Sequence, residues 1–170
     1  MQRPGLGVDI GGVIIDSKRK ETQKLFASSD YLKTPAVPGA LGALNRLAST
    51  VFYERLYVVS KCDEARELKT RAWLVKHKFY ELTGIPEDRV RFCRERRDKA
   101  QICNKLGITH FIDDRLEVLG FLEDVVRHRI LFRARNIEVL EHAMTHAKTF
   151  SDVLPAYTWQ QVEQLVTATR

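Results

Sequence analysis

The chain has 170 residues, 44% hydrophobic and 29% charged, which fits one globular domain and excludes most two-lobed enzymes. A formal charge of +6, from 28 Lys and Arg against 22 Asp and Glu, favours anionic partners without naming them. No run approaches the roughly 20 apolar residues of a membrane span, and Met1-Gln2-Arg3-Pro4 lacks a secretory signal's apolar stretch. A soluble, cytoplasmic protein with no membrane partner is therefore expected.

Short apolar runs alternate with helical periods along the chain, and that alternation predicts an α/β fold with a parallel sheet of about five strands. The first run is Leu6–Ile10. A polar stretch, Ser17 to Pro35, precedes a helix through Leu41, Leu44 and Leu47, which leads to the second run, Leu56–Val59. After Cys62 the residues Ala65, Leu68, Ala72, Val75, Phe79 and Leu82 recur at steps of three and four. They predict one long helix with that stripe against the sheet, ended by Gly84 and Pro86. The third run is Val90–Cys93; Asp98 is the expected cap of a helix that stops at Gly107. His110–Ile112 is the fourth run, followed by a helix carrying Leu116, Leu119, Leu122 and Val126, and Ile130–Phe132 is the fifth. Ile137 to Ala147 and Thr158 to Thr169 read as helices, the latter capped by Thr158. Cys62, Cys93 and Cys103 lie in unrelated segments with no Cys-x-x-Cys pair and are expected to be reduced, mostly buried thiols.

In an open parallel sheet ligands bind beyond the carboxyl ends of the strands, so the polar residues after each apolar run carry the information. The first strand delivers Asp9, followed by Gly11 and Gly12; the second delivers Ser60 and Lys61. The third leads to Lys99, and the fourth ends in Asp113-Asp114-Arg115. Asp9, Asp113 and Asp114 would repel one another in a partly desolvated cleft unless a cation lay between them. Mg2+ suits such a set, being a hard ion that takes oxygen ligands beside phosphate. Lys99 falls in the first turn of its predicted helix, where the macrodipole disfavours a cation by ~0.3–1 kcal/mol, so another charge should compensate. A bound phosphoryl group would do so. Ser60 adds a hydroxyl donor, and Gly11 and Gly12 let backbone N–H groups approach an anion. Carboxylate, hydroxyl, ammonium and metal together describe phosphoryl transfer.

With Asp9-Ile10-Gly11-Gly12-Val13, Ser60, Lys99 and Asp113-Asp114 in this order, the sequence resembles the haloacid dehalogenase superfamily over Leu6 to about Phe132. Trp73, Arg97-Asp98-Lys99 and Ile112-Asp113-Asp114-Arg115 are distantly similar to its 5′(3′)-deoxyribonucleotidase branch. The resemblance implies a single Rossmann-like, three-layer domain over residues 1–170 and a magnesium-dependent phosphatase or phosphotransferase. It makes Asp9 the nucleophile that forms an aspartyl-phosphate, with Ser60 and Lys99 holding phosphoryl oxygens beside Gly11, Gly12 and Lys61. It places Mg2+ on Asp9, the Gly11 carbonyl and Asp113 or Asp114. Family phosphatases usually carry a second aspartate two residues after the nucleophile as general acid and base; here that position is Gly11. Such help is typically worth ~10²–10⁴-fold, about 3–5.5 kcal/mol of barrier. Weak or leaving-group-selective activity is the expected consequence, unless Asp16 or a side chain from the flap replaces the acid.

About 50 residues separate Asp9 from Ser60, and a crossover uses about 30, leaving a flap near residues 14–37. Only about 40 lie between Ser60 and Lys99, too few for the cap domain of many family members. An open cleft beside Lys18-Arg19-Lys20 and the Arg89 to Lys99 cluster suits a bulky or macromolecular phosphorylated partner, including a nucleic-acid end. Glu87, Asp88, Glu95 and Asp98 interleave with that cluster, which reads first as a solvated, partly paired surface. His142 and His146 read as a wet helix face, and Trp73 and Trp159 as packing residues. A different class remains beside the enzyme: a catalytically silent module that binds a phosphorylated partner or acts as a regulatory subunit.

Overall fold

The computed structural model describes residues 3–134 and 152–169. Six strands form one sheet in which every paired neighbour is parallel: β1 (Leu6–Val8), β2 (Leu56–Lys61), β3 (Val90–Cys93), β4 (His110–Asp113), β5 (His128–Phe132) and β6 (Val153–Ala156). Their order is β3-β2-β1-β4-β5-β6. The chain winds outward from β1 in one direction and returns to β1's other side with β4. β1 is thus the switch point, and a cleft opens beyond its carboxyl end.

Strand β6 goes beyond the expected five because Val153-Leu154-Pro155-Ala156 contains a proline, which argues against a strand in sequence. At the sheet's edge β6 needs to pair only with β5, so the missing proline N–H is tolerated. Side chains alternate between faces. Leu6, Val8, Leu56, Val58, Ile112 and Ile130 join α2 (Ala40–Thr50), α3 (Glu64–Lys76), α4 (Phe79–Thr83) and α7 (Trp159–Ala168) on one side. Val59, Phe111 and Leu131 pack with α5 (Asp98–Leu106) and α6 (Leu116–Phe121) on the other. The three-layer arrangement follows. Gly7 is required on the second face, because a Cβ there would lie 2.4 Å from the Phe111 ring.

The long helix after Cys62 departs from expectation. It breaks at His77-Lys78, where Lys78 adopts φ 52°, so α3 and α4 are separate. Leu68 and Val75 are each 66% exposed and Leu82 51%; the buried face is Thr70, Trp73 and Leu74, with Phe79 buried after the break. That face is half polar because it binds backbone: Trp73 Nε1 donates to Thr34 O at 2.7 Å, and His77 Nε2 lies 2.8 Å from Leu32 O while stacking on Trp73. Counting apolar residues alone therefore chose the wrong stripe. Asp98 is the first helical residue of α5 rather than its cap; its carboxylate accepts from the Glu95 N–H. Gly107 ends α5 in the left-handed region, and Thr158 caps α7 by accepting from Gln161 N–H, both as expected.

Between β1 and α2, residues 14–16 pair antiparallel with 35–37: Asp16 N–H donates to Pro35 O at 2.9 Å and Val37 N–H to Ile14 O at 2.7 Å. This stem carries α1 (Lys20–Ala27) and a 3-10 turn, Tyr31–Lys33. All three cysteines are free and buried, with thiol pKa values pushed up by burial, to about 11 for Cys93 and about 12 for Cys103. The segment containing the expected 137–147 helix, His142 and His146 lies outside the described residues.

Candidate active site

Register brings the strand-end residues together. Val8 pairs with Val58 on one side and Ile112 on the other, and Asp9 N–H donates to Ile112 O at 3.0 Å. Asp9 therefore leaves β1 beside Asp113, with Ser60 on the neighbouring strand end. Asp9, Gly11, Gly12, Ser60, Lys61, Lys99, Asp113 and Asp114 all line one cleft of about 270 Å³. The turn after Asp9 is held by Ile10 O, which accepts from the N–H groups of Ile14 and Ile15 at 2.8 and 3.0 Å. The Gly11 carbonyl accepts none of the backbone bonds of this turn. Gly12 has φ +79°, and a Cβ there would stand 2.6 Å from Asp114 Oδ2, so only glycine lets that carboxylate approach the loop.

The floor of the cleft is a buried charge cluster. Lys99 Nζ donates to Asp9 Oδ1 at 2.9 Å and to Asp113 Oδ2 at 2.8 Å, its side chain only 2% exposed. Asp113 Oδ1 accepts the Arg115 N–H at 2.9 Å, so this aspartate also fixes the turn into α6. Asp114 Oδ2 faces Lys18 Nζ at 3.6 Å. The expected compensation for Lys99 at a helix start thus comes from two carboxylates in place of a phosphoryl group. Burial works against the Lys99 ammonium, but Asp113 and Asp9 outweigh it and hold its pKa above the ordinary lysine value. Burial raises Asp113 despite Lys99, with Asp9 and Asp114 adding repulsion. Asp114 is also raised by burial and by Asp9, against the pull of Lys18. The directions agree physically: one ammonium serves two carboxylates with a third beside them, so the lysine is over-stabilised while the acids lack positive charge.

Oxygens of Asp9, Asp113 and Asp114 lie within 4.8 Å of one another. An all-oxygen, acid-rich donor set short of positive charge fits a hard divalent cation. Ser60 is buried in the strand end and is not the cap of α3; Asp63 has that role, its carboxylate accepting from Arg66 N–H at 2.8 Å. The Ser60 side chain is left to the cleft.

The position two residues after Asp9 is open, and its flanking groups come from elsewhere in the chain. A Cβ on Gly11 would find Ser17 Oγ at 3.5 Å and Arg66 Nη2 at 3.9 Å. Asp16 does not line the cleft; it is buried against Arg19 at 2.8 Å and Arg133 at 3.9 Å, which removes it as a replacement acid. Lys18 is not a surface cation for a large anion. It turns inward, donating to Arg133 O at 2.8 Å and Asp114 O at 3.2 Å. In the basic run Arg94 pairs with Glu67 and Arg96 with Glu117, each at 2.8 Å, so α3 and α6 supply the partners. Sequence reasoning missed Arg66 at the rim and quoted Arg115 after the fourth strand without giving it a role; Arg66 also lies in the segment just after a strand end, which is the same signal.

No protein-family model and no curated sequence matches the chain. Solved structures do. A D,D-heptose 1,7-bisphosphate phosphatase from B. bronchiseptica, solved with magnesium and phosphate, superimposes with a TM-score of 0.61 at 16% identity, over 98% of this chain and 99% of that one. The corresponding enzyme from Burkholderia thailandensis gives 0.60 at 15% identity over 95% and 97%. A haloacid dehalogenase-like hydrolase from Burkholderia xenovorans gives 0.57 at 12% identity over 97% and 98%. Among the described residues no helix is long and apolar enough to cross a membrane. With its parallel six-stranded sheet, its switch point at β1 and these neighbours, the chain has the fold of the haloacid dehalogenase-like phosphatases.

Proposed function

We propose that the chain is a magnesium-dependent phosphatase or phosphotransferase, a single domain with a flap at about residues 14–37, in which Asp9 is the nucleophile. The observation that carries this reading is the position of Lys99, buried between Asp9 and Asp113 at hydrogen-bond distance while Asp114 completes the acid cluster. One oxygen of Asp9 is fixed by Lys99, which leaves the other free to attack a phosphorus in the cleft. Ser60, Lys61 and Lys99, with the N–H groups of the Gly11-Gly12 turn, hold the phosphoryl oxygens. Asp9, Asp113 or Asp114, and the Gly11 carbonyl hold Mg2+, which would neutralise charge developing on the transferred group. Lys18 orients Asp114, and the Arg115 N–H orients Asp113. The magnesium and phosphate of the B. bronchiseptica neighbour support the same ligand pair here.

Gly11 makes the activity selective. Of the groups that a side chain on Gly11 would meet first, a serine hydroxyl and a guanidinium, neither gives up a proton at neutral pH. Substrates whose leaving group departs without protonation should therefore turn over, and alkyl phosphates should not. The test is phosphate release from p-nitrophenyl phosphate with and without Mg2+, together with trapping of Asp9 by beryllofluoride. Turnover that depends on Mg2+ and an adduct on Asp9 support the reading. Neither, across a broad ester panel, would assign the chain to the silent binding module that Gly11 makes the alternative.

A further inference from the structure

The rim of the cleft carries cations that pair with no carboxylate of the floor. Lys18 and Lys99 already face carboxylates, and Arg96 pairs with Glu117. Lys61, Arg66 and Arg115 also line the cleft, and among the described residues none of them forms an ion pair. Arg66 is the most telling. It stands in the first turn of α3, where the macrodipole disfavours a cation. Its close neighbour Arg71 pairs with both Glu67 and Glu87, whereas the Arg66 guanidinium lies 4.8 Å over the face of Phe26 from the flap. That stacking fixes the guanidinium plane while leaving its edge donors available. One of those donors, Nη2, is 3.9 Å from the point where a side chain on Gly11 would begin. The region of the leaving group therefore presents a fixed positive charge and no proton donor.

We propose that the substrate class is a phosphoanhydride, whose leaving phosphate is received by Arg66 across the space that Gly11 leaves open. The inference rests on the reading of Asp9 as nucleophile. In the first step an Asp9 carboxylate oxygen forms a bond to the terminal phosphorus. The bond from that phosphorus to the bridging oxygen breaks, and the bridging oxygen keeps the electron pair. The second phosphate departs as an anion that needs no proton at neutral pH, so the missing acid costs little. In the second step water attacks the phosphorus of the aspartyl-phosphate, the bond to Asp9 breaks with its electrons returning to the carboxylate, and the water proton passes to a phosphoryl oxygen of the product. A sugar or alcohol leaving group would depart as a far stronger base, and Arg66 cannot protonate it. Lys61 and Arg115 supply further positive charge for an anhydride, which brings more negative charge into the cleft than a simple ester.

The discriminating comparison uses two leaving groups of similar basicity and different charge. Full-length protein with Mg2+ is assayed on inorganic pyrophosphate and ADP, on p-nitrophenyl phosphate, and on glycerol phosphate. The expected result is kcat/KM at least tenfold higher for one of the anhydrides than for p-nitrophenyl phosphate, with glycerol phosphate lowest; preference between pyrophosphate and ADP tells whether the leaving phosphate carries an organic group. Arg66→Gln should lower kcat/KM for the preferred anhydride at least ten times more than for p-nitrophenyl phosphate, and Arg66→Lys should recover part of the loss. Circular dichroism of the variants controls for folding, and because Arg66 is exposed both should fold. Equal losses on the two substrates, or a preference for p-nitrophenyl phosphate, would overturn the anhydride assignment and leave Asp9 as nucleophile intact. No phosphate release from any substrate and no beryllofluoride adduct would overturn the nucleophile reading, and this inference with it.

Discussion

Strand β4 buries an ionisable side chain at each end, and the two ends treat it in opposite ways. At the carboxyl end Asp113 is fully buried, yet it is surrounded by Asp9, Asp114 and Lys99 and kept among charges. At the amino end His110 is 2% exposed and its direct contacts are hydroxyls and rings, with no carboxylate among them: Thr109 and Thr169 hydroxyls at 2.8 and 3.1 Å, the His128 ring stacked at 4.5 Å, and the edge of Phe52. A fold maintained only for stability would treat both ends like the second, since buried charge is expensive and its replacement by apolar packing is often neutral or favourable. The first end fits the proposed metal and phosphoryl guests, which would bring positive and negative charge of their own.

The sharpest way to break this contrast is to remove the oxygen proposed to attack. Asp9→Asn keeps the size of the side chain and should lower phosphate release on the order of 10⁴-fold or more, with an unchanged circular dichroism spectrum. A residual rate within tenfold of wild type would mean that the acid cluster is not the reactive centre. Next in size is Gly11→Asp. The Cβ meets Ser17 and Arg66 at ordinary contact distance, so the side chain fits. It should raise turnover of an alkyl phosphate by roughly 10²–10⁴-fold. The new carboxylate would also lie near Arg66 and compete with an anionic leaving group, so the preference for anhydrides should narrow.

Lys99→Met probes the same cluster through stability. Without the ammonium, Asp9 and Asp113 face each other in a buried site, and breaking a buried pair typically costs ~3–5 kcal/mol. Urea unfolding in chelator should show that loss, and saturating Mg2+ should return part of it, because a ligand bound only to the native state stabilises by mass action. No recovery with Mg2+ would argue against a cation at these three carboxylates.

The two ends were also unequally legible in sequence. Asp9, Ser60, Lys99 and Asp113-Asp114 stand out because each follows an apolar run, and the rule that parallel strands point their carboxyl ends at ligands converts that position into a shared site. The rim was hidden. Arg66 belongs to a helix whose apolar stripe reads as Ala65, Leu68, Ala72 and Val75, yet Leu68 and Val75 face water while Trp73 and His77 turn their ring nitrogens to the flap backbone and Thr70 is buried beside them. Hydrophobic periodicity cannot see a buried face whose members are held by hydrogen bonds as well as by packing. Lys18 was misplaced for a related reason. A lysine in a basic triplet reads as surface, and only the approach of Asp114 and the Arg133 carbonyl gives it a reason to turn inward. Pro155 concealed β6 by obeying a local rule that an edge strand is free to break.

The amino end supplies the smallest effect and the control for the others. Burial holds His110 neutral, its pKa lowered from 6.5 to about 4, with His128 and Arg127 pushing the same way against a hydrogen bond at Thr169. Because the folded value is depressed, the native state binds fewer protons than the unfolded chain between these limits. The corresponding stability is fully present above pH 6.5 and is lost as pH falls toward about 4. At pH 5 the loss should be on the order of 2 kcal/mol. His110→Asn removes the titration and keeps a polar side chain beside Thr109. Urea unfolding of wild type and variant at pH 7.5 and pH 5 should show a steeper decline in the wild type by about that amount. Parallel declines would mean that His110 accepts a proton in the folded chain, and that the exclusion of a buried charge is not what distinguishes this end of β4 from the other.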